Sequence, residues 1–221
     1  MQAHFHALLR IWFHFVEAQG YLGVFLLMAL ESSIVPIPSE IIIPPAAYWA
    51  AQGRFDFWGV VLVGTAGSLF GSLVSYGVSR AVGEPIVRRY GRFVLLPPET
   101  IAAGENWVRE YGVSGIFFAR LLPVVRHLIS IPAGILRMPV AAFSATTTAG
   151  AFVWCLTLAW FGKKIIGDSP TLLDSPEEMM NVLKHKMHFI VLGVVLLAAA
   201  YAVMIYLRKR SSAARLSSAN P

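Results

Sequence analysis

Three stretches of the chain, residues 57–79, 140–162 and 189–207, run without a charge for the length a helix needs to cross a bilayer, about 20 residues. Two further apolar regions, 20–51 and 112–136, are interrupted midway by charges and prolines. Their arms, about 8–12 residues each, are too short to span alone, so each region is predicted to enter the membrane and turn back. Near the start, Phe5, Leu8, Leu9, Trp12 and Val16 recur at helical spacing with His6, Arg10, His14 and Glu17 opposite. That pattern predicts an amphipathic helix over 1–19 lying on the membrane surface.

The pattern amounts to an all-α polytopic membrane protein. Its predicted order is an interfacial helix (1–19), a hairpin (20–51), a span (57–79), a cytoplasmic linker (80–111), a second hairpin (112–136), a second span (140–162), an external loop (163–187), a C-terminal transmembrane helix (188–207) and a tail (208–221). Arg80, Arg88, Arg89, Arg92 and Arg109 follow the first span, and Arg208, Lys209, Arg210 and Arg215 lie in the tail. Basic residues beside spans favour the cytoplasm, which puts both segments, and the C-terminus, on that side of a bacterial inner membrane. The two hairpins then open from opposite sides, and the spans after them run in opposite senses, an inverted repeat. A short echo agrees with it: Gly20-Tyr21-Leu22-Gly23-Val24-Phe25 against Gly112-Val113-Ser114-Gly115-Ile116-Phe117, and Pro45-Ala46-Ala47 against Pro132-Ala133-Gly134.

Composition narrows the function classes. Of the 221 residues 57% are apolar and 14% charged, against about 45–50% and about 25% in soluble domains. The net charge of +6 sits beside apolar segments, which fits anionic lipid headgroups and not nucleic acid. Cys155, the single cysteine, allows no internal disulfide. His4, His6 and His14 read as ordinary interfacial histidines, and no metal or cofactor is expected.

The chemistry is concentrated in the hairpins. The ionisable groups there are Glu31 and Glu40 in the first and Arg120, Arg126 and His127 in the second. A charge at bilayer centre costs at least about 2.5–3.5 kcal/mol, so these groups require mutual pairing, water or a polar ligand. Pro36 and Pro38 in one hairpin, and Pro123 and Gly134 in the other, mark the backbone breaks. If the breaks meet, two carboxylates stand beside two guanidinium forks shaped for phosphate or carboxylate. Arg120 and Arg126, with His127 beside them, are the candidate anion-binding residues, and Glu31 and Glu40 are the candidate proton-coupling residues. The small residues of the first span, Gly64 to Ser79, are assigned to helix packing alone.

The string Arg120-Leu121-Leu122-Pro123-Val124-Val125-Arg126, followed by Ala133-Gly134 and Met138, together with Glu31 and Pro36-x-Pro38-x-Glu40, resembles the DedA family, whose members carry a VTT domain. The resemblance implies a re-entrant-hairpin transporter fold with essential acids at Glu31 and Glu40 and essential arginines at Arg120 and Arg126. It also implies lipid translocation: bacterial members recycle undecaprenyl phosphate, and eukaryotic relatives scramble phospholipids. The chain departs from the family where it carries Gly71-Ser72 in place of Gly-Asp, and Ser39-Glu40 in place of Gly-Glu or Gly-Asp.

The expected function is transport of undecaprenyl phosphate, or another phosphate-bearing lipid, between leaflets, with protons as the coupled ion. A phospholipid scramblase and a proton-coupled small-ion antiporter are the alternatives, and a homo-oligomer is left open. An enzyme is disfavoured. Gly112-Val113-Ser114-Gly115 matches an intramembrane serine protease motif, but the histidines on offer, His127 and His188, are poorly placed to serve Ser114.

Overall fold

The computed structural model describes residues 15–16, 18–33, 39–83, 98–122 and 125–167, all within one compact unit. Outside them lie nearly all of the expected surface helix, Pro36, Pro38 and Pro123, Arg88, Arg89 and Arg92, the loop beyond residue 167, the C-terminal helix and the tail. The described residues form helices joined by short turns, with no strand among them. The helices are α1 (Tyr21–Glu31), α2 (Ile43–Ala51), α3 (Phe57–Val82), α4 (Pro98–Arg120), α5 (Val125–Leu128), α6 (Ser130–Ile135) and α7 (Val140–Gly167), with a 3-10 turn at Ser39–Ile41.

Local chemistry sets several of these boundaries. Pro44 and Pro45 open α2, where a missing N–H costs nothing. Asp56 caps α3 by accepting the Gly59 N–H at 2.7 Å. Gly20 precedes α1 at φ 61°, ψ −135°. Inside α4, Gly112 breaks the helix at φ 53°, ψ −133°. Both glycines hold a backbone shape that an L side chain resists, and both occupy the first position of the sequence echo.

α3 and the 140–164 part of α7 are long and apolar enough to cross a membrane. On α3 the inward face is mostly small, with Gly64, Thr65, Gly67, Ser68, Gly71, Ser72, Ser75 and Ser79 beside Val60, Val61 and Tyr76. Leu62 and Phe70 face outward, 58% and 54% exposed. Small residues inside and bulky apolar ones outside suit a helix whose exterior is lipid.

The contacts give each helix its direction. Residues 25 and 29 of α1 meet 67 and 71 of α3, so the two run parallel. α2 returns: the Asp56 N–H donates to the Tyr21 hydroxyl at 2.6 Å, and the Phe55 ring contacts both Tyr21 and Trp49. The start of α1, the end of α2 and the start of α3 thus lie together. α3 and α7 run antiparallel, with Gly64 against Cys155 at one end and Tyr76 stacked on Phe143 at the other. The packing is crossed: α2 lies on α7, and α6 lies on α3.

Two close approaches repeat. A Cβ added at Gly67 would meet the Phe25 carbonyl oxygen at 2.5 Å and Met28 Cβ at 3.0 Å. One added at Gly150 would meet Arg120 Cβ at 2.5 Å and the Phe117 carbonyl oxygen at 3.3 Å. The second half therefore seats Arg120 where the first seats Met28.

Candidate functional site

Glu31 closes α1 and is 1% exposed. A carboxylate at a helix C-terminus faces the negative end of the dipole, an unfavourable place unless something offsets it. Arg126 does so, forming a buried ion pair between its Nη2 and Glu31 Oε1. The other carboxylate oxygen accepts from Ser32 Oγ at 3.0 Å, and Ser32 and Ser68 share a hydrogen bond of 2.8 Å. A hydroxyl has one proton to give, so with Ser32 donating to Glu31 it is Ser68 that donates to Ser32.

His127 also reaches Glu31, but through the backbone. Its Nδ1 lies 3.2 Å from the Glu31 carbonyl oxygen, which can only accept, so Nδ1 carries the proton in this contact. Its Nε2 faces Glu31 Oε1 at 3.9 Å. The imidazole thus caps the end of α1 from α5.

Arg120 sits at the end of α4, 3% exposed. It donates from Nη1 to the Arg126 carbonyl oxygen at 2.8 Å and from Nη2 to Ser130 Oγ at 2.7 Å. Its guanidinium lies 5.8 Å from the Phe143 ring centroid. No carboxylate pairs with Arg120 among the described residues, and its Nε has no hydrogen-bond partner there. A guanidinium cannot shed its charge by losing a proton, so this buried cation lacks a counter-ion among the described residues.

The second carboxylate stands apart. Glu40 lies in the 3-10 turn, half-buried, with Ser39 as a hydrogen-bond partner. No ion pair joins it to Arg120 or Arg126 among the described residues. The link between the turn and the arginines is Trp154 of α7: its indole N–H donates to Ser39 Oγ at 3.1 Å, and its ring centroid is 5.2 Å from Arg126 Cζ.

The structure thus brings Glu31, Arg120, Arg126 and His127 together, keeps Glu40 one residue from the Trp154 contact, and seats Gly134 in α6 against the Tyr76 carbonyl of α3. Ser32, Ser130, Phe143 and Trp154 were not singled out from the sequence, and Ser68 was read as helix packing alone. The serines carried a faint signal, hydroxyls in otherwise apolar runs. Phe143 and Trp154 carried none, because aromatic residues are expected in any apolar helix.

The VTT domain family matches residues 37–164, more than half of the chain. This chain belongs to that family. The resemblance to DedA proteins drawn from the arginine and glutamate motifs is therefore borne out. Its relatives include undecaprenyl phosphate transporter A of Bacillus subtilis (strain 168), 36% identical over 143 residues, 65% of this chain and 70% of that protein. The protein of the same name in Staphylococcus aureus (strain NCTC 8325 / PS 47) is 30% identical over 89% of this chain and 95% of its own length. An alkaline phosphatase-like protein of Lactococcus lactis subsp. lactis (strain IL1403) is 32% identical over 86% and 88%. No solved structure matches the chain. Membership makes the chain a membrane protein of a transport family and not an enzyme, and the relatives named here are bacterial; the phosphatase-like name is said of the lactococcal protein alone.

Proposed function

We propose that the chain moves a phosphate-bearing polyprenyl lipid, undecaprenyl phosphate, between the leaflets of the bacterial inner membrane, coupled to protons, with Arg120, Arg126 and His127 as the phosphate site. The observation that carries this reading is the buried Arg120 guanidinium without a carboxylate partner among the described residues. A charge held away from water asks for an opposite charge, and a phosphate oxygen suits the planar fork. Relatives named undecaprenyl phosphate transporter A support the choice of lipid.

The sequence of events follows from the contacts. An arriving phosphate is drawn first to Arg120, which has donors to spare. Arg126, sharing a hydrogen bond with Arg120 through its own carbonyl, is within reach of the same anion but is held by Glu31. Protonating Glu31 removes its charge and frees Arg126 for the phosphate; when the phosphate leaves, Glu31 gives up the proton and takes Arg126 back. Glu40 is the second proton carrier in this scheme, joined to Arg126 through Ser39 and Trp154.

Alternating access is supplied by an inverted repeat of two re-entrant hairpins. Four features support it: the matching backbone angles at Gly20 and Gly112, the matching seats at Gly67 and Gly150, the antiparallel α3 and α7, and the crossed packing of α2 and α6. The orientation proposed places the α3 end that carries Arg80, and the chain's C-terminus, in the cytoplasm.

The test is reconstitution of the full chain into liposomes with labelled undecaprenyl phosphate or with labelled phospholipid, each with and without a pH gradient. Movement of undecaprenyl phosphate that quickens with the gradient, without comparable phospholipid movement, is expected. Equal movement of both lipids would make the protein a scramblase, and ion flux without lipid movement would make it an antiporter.

A further inference from the structure

A cleft of about 270 Å³ lies between the first half of α4 and the α5–α6 stretch. One wall carries Ile101 and Trp107; the other carries Val125, Leu128, Ile129 and Pro132. Trp107 adds no free polar group, because its indole N–H is already given to the Gly115 carbonyl at 2.9 Å. At the base, Gly104 lets α4 come up against Pro132, whose Cγ would lie 2.8 Å from a Cβ there. Thr100 is the one hydroxyl-bearing residue in a lining otherwise almost wholly of carbon; apolar cavities of about 150 Å³ stay dry and take up apolar guests, so a larger cleft of this kind calls for an apolar occupant.

The wall residues 125, 128, 129 and 132 fall at helical spacing on one face of the α5–α6 stretch. Arg126 and Ser130 belong to the opposite face, with the Glu31 and Arg120 contacts. The same short stretch thus divides the arginine site from the cleft. Ala103 and Val125 are exposed at the rim, which leaves the cleft open from outside.

We propose that this cleft holds the isoprenoid tail of the lipid whose phosphate sits at Arg120 and Arg126, the molecule straddling the α5–α6 stretch with its charge on one side and its hydrocarbon on the other. The inference rests on the phosphate-lipid reading above and adds a tail-selecting subsite to it. The volume restricts the occupant: one turn of a helix about 10 Å across needs more room than the cleft has, whereas a segment of a single hydrocarbon chain fits, the rest of the tail leaving by the open rim. A helix about that wide is also a short enough divide for one lipid to reach across.

The experiment compares binding of undecaprenyl phosphate and geranyl phosphate to the purified full chain. Ala103→Trp, which fills the cleft from its exposed rim, is expected to weaken undecaprenyl phosphate binding about tenfold and to leave geranyl phosphate binding within about twofold. Equal effects on the two probes, or none on either, would overturn the tail site. Arg126→Gln separates the two ideas: it should weaken both probes, and unchanged binding of both would sink the phosphate reading itself. Should Ala103→Trp not fold, the wild-type chain is labelled with a polyprenyl phosphate bearing a photoreactive diazirine on its tail. Attachment within 100–107 and 125–132 supports the site, and attachment elsewhere only overturns it.

Discussion

Gly67 and Gly150 occupy equivalent seats in the two halves of the molecule, yet one presses against Met28 and the other against Arg120. Each follows a glycine-broken start, at Gly20 and Gly112, and each lies on one of the two long apolar helices, α3 and α7. The backbones agree while the chemistry diverges. The first half ends its helix in a carboxylate, and the second supplies two guanidiniums and an imidazole. Opposite charges from α1 on one side and α4 and α5 on the other create a polar meeting point that neither side could keep buried alone, because each would hold unpaired charge away from water.

The largest effect is expected from breaking that meeting point on one side only. Arg126→Met leaves Glu31 buried without its partner and should cost about 3–5 kcal/mol, read as a lower unfolding midpoint in detergent, with transport lost. Adding Glu31→Leu to Arg126→Met should restore most of the stability and none of the transport. Recovery of transport in the double variant would mean that the charges only lock the halves together.

The next test sharpens the equivalence of the seats. Gly67→Leu and Gly150→Leu should each destabilise by about 1–3 kcal/mol, since both add bulk where the helices already touch. The milder Gly150→Ala, which crowds Arg120, should slow transport more than Gly67→Ala, which crowds Met28. Equal transport in the two alanine variants would count against a special role for the arginine seat.

A smaller effect is expected at the link between the halves. Trp154→Phe keeps a ring under Arg126 and removes the hydrogen bond to Ser39, and Ser39→Gly removes the same bond from the other side. Each should cost about 0.5–1.5 kcal/mol, and the two together should cost little more than either alone. Full additivity in a double-mutant cycle would show that the two residues act separately. Ser114 bonds only to the Tyr111 carbonyl of its own helix among the described residues, so Ser114→Ala should leave transport unchanged. A loss there would reopen the hydrolytic reading.

What the sequence made legible follows from the cost of burying charge. Two acids and two arginines in apolar runs, each set beside backbone breakers, could not stand alone in hydrocarbon, so a meeting of all four could be expected; the structure pairs Glu31 with Arg126 and leaves Glu40 apart. Uncharged length likewise marked the apolar stretches that became α3 and α7. Which acid pairs with which arginine could not be read in advance, because that choice depends on how α1 and α5 approach one another across 95 residues of chain. The small residues of α3 were read as packing alone, yet Ser68 also feeds the hydrogen bond to Ser32 and hence to Glu31. A serine that packs and a serine that donates look the same in a sequence. Trp154 was hidden for a similar reason, since its usefulness lies in an N–H and a ring face directed at partners from two other elements.

Competition between Glu31 and the phosphate for Arg126 is the central claim, and it predicts opposite signs for two substitutions that remove the same ion pair. Binding of undecaprenyl phosphate to the purified protein, followed by native mass spectrometry, reads it directly. Glu31→Gln should tighten binding by up to about tenfold, because Arg126 no longer has a competitor, whereas Arg126→Gln should weaken it by at least as much. Weaker binding in both variants would contradict the account and reduce the pair to a structural clasp.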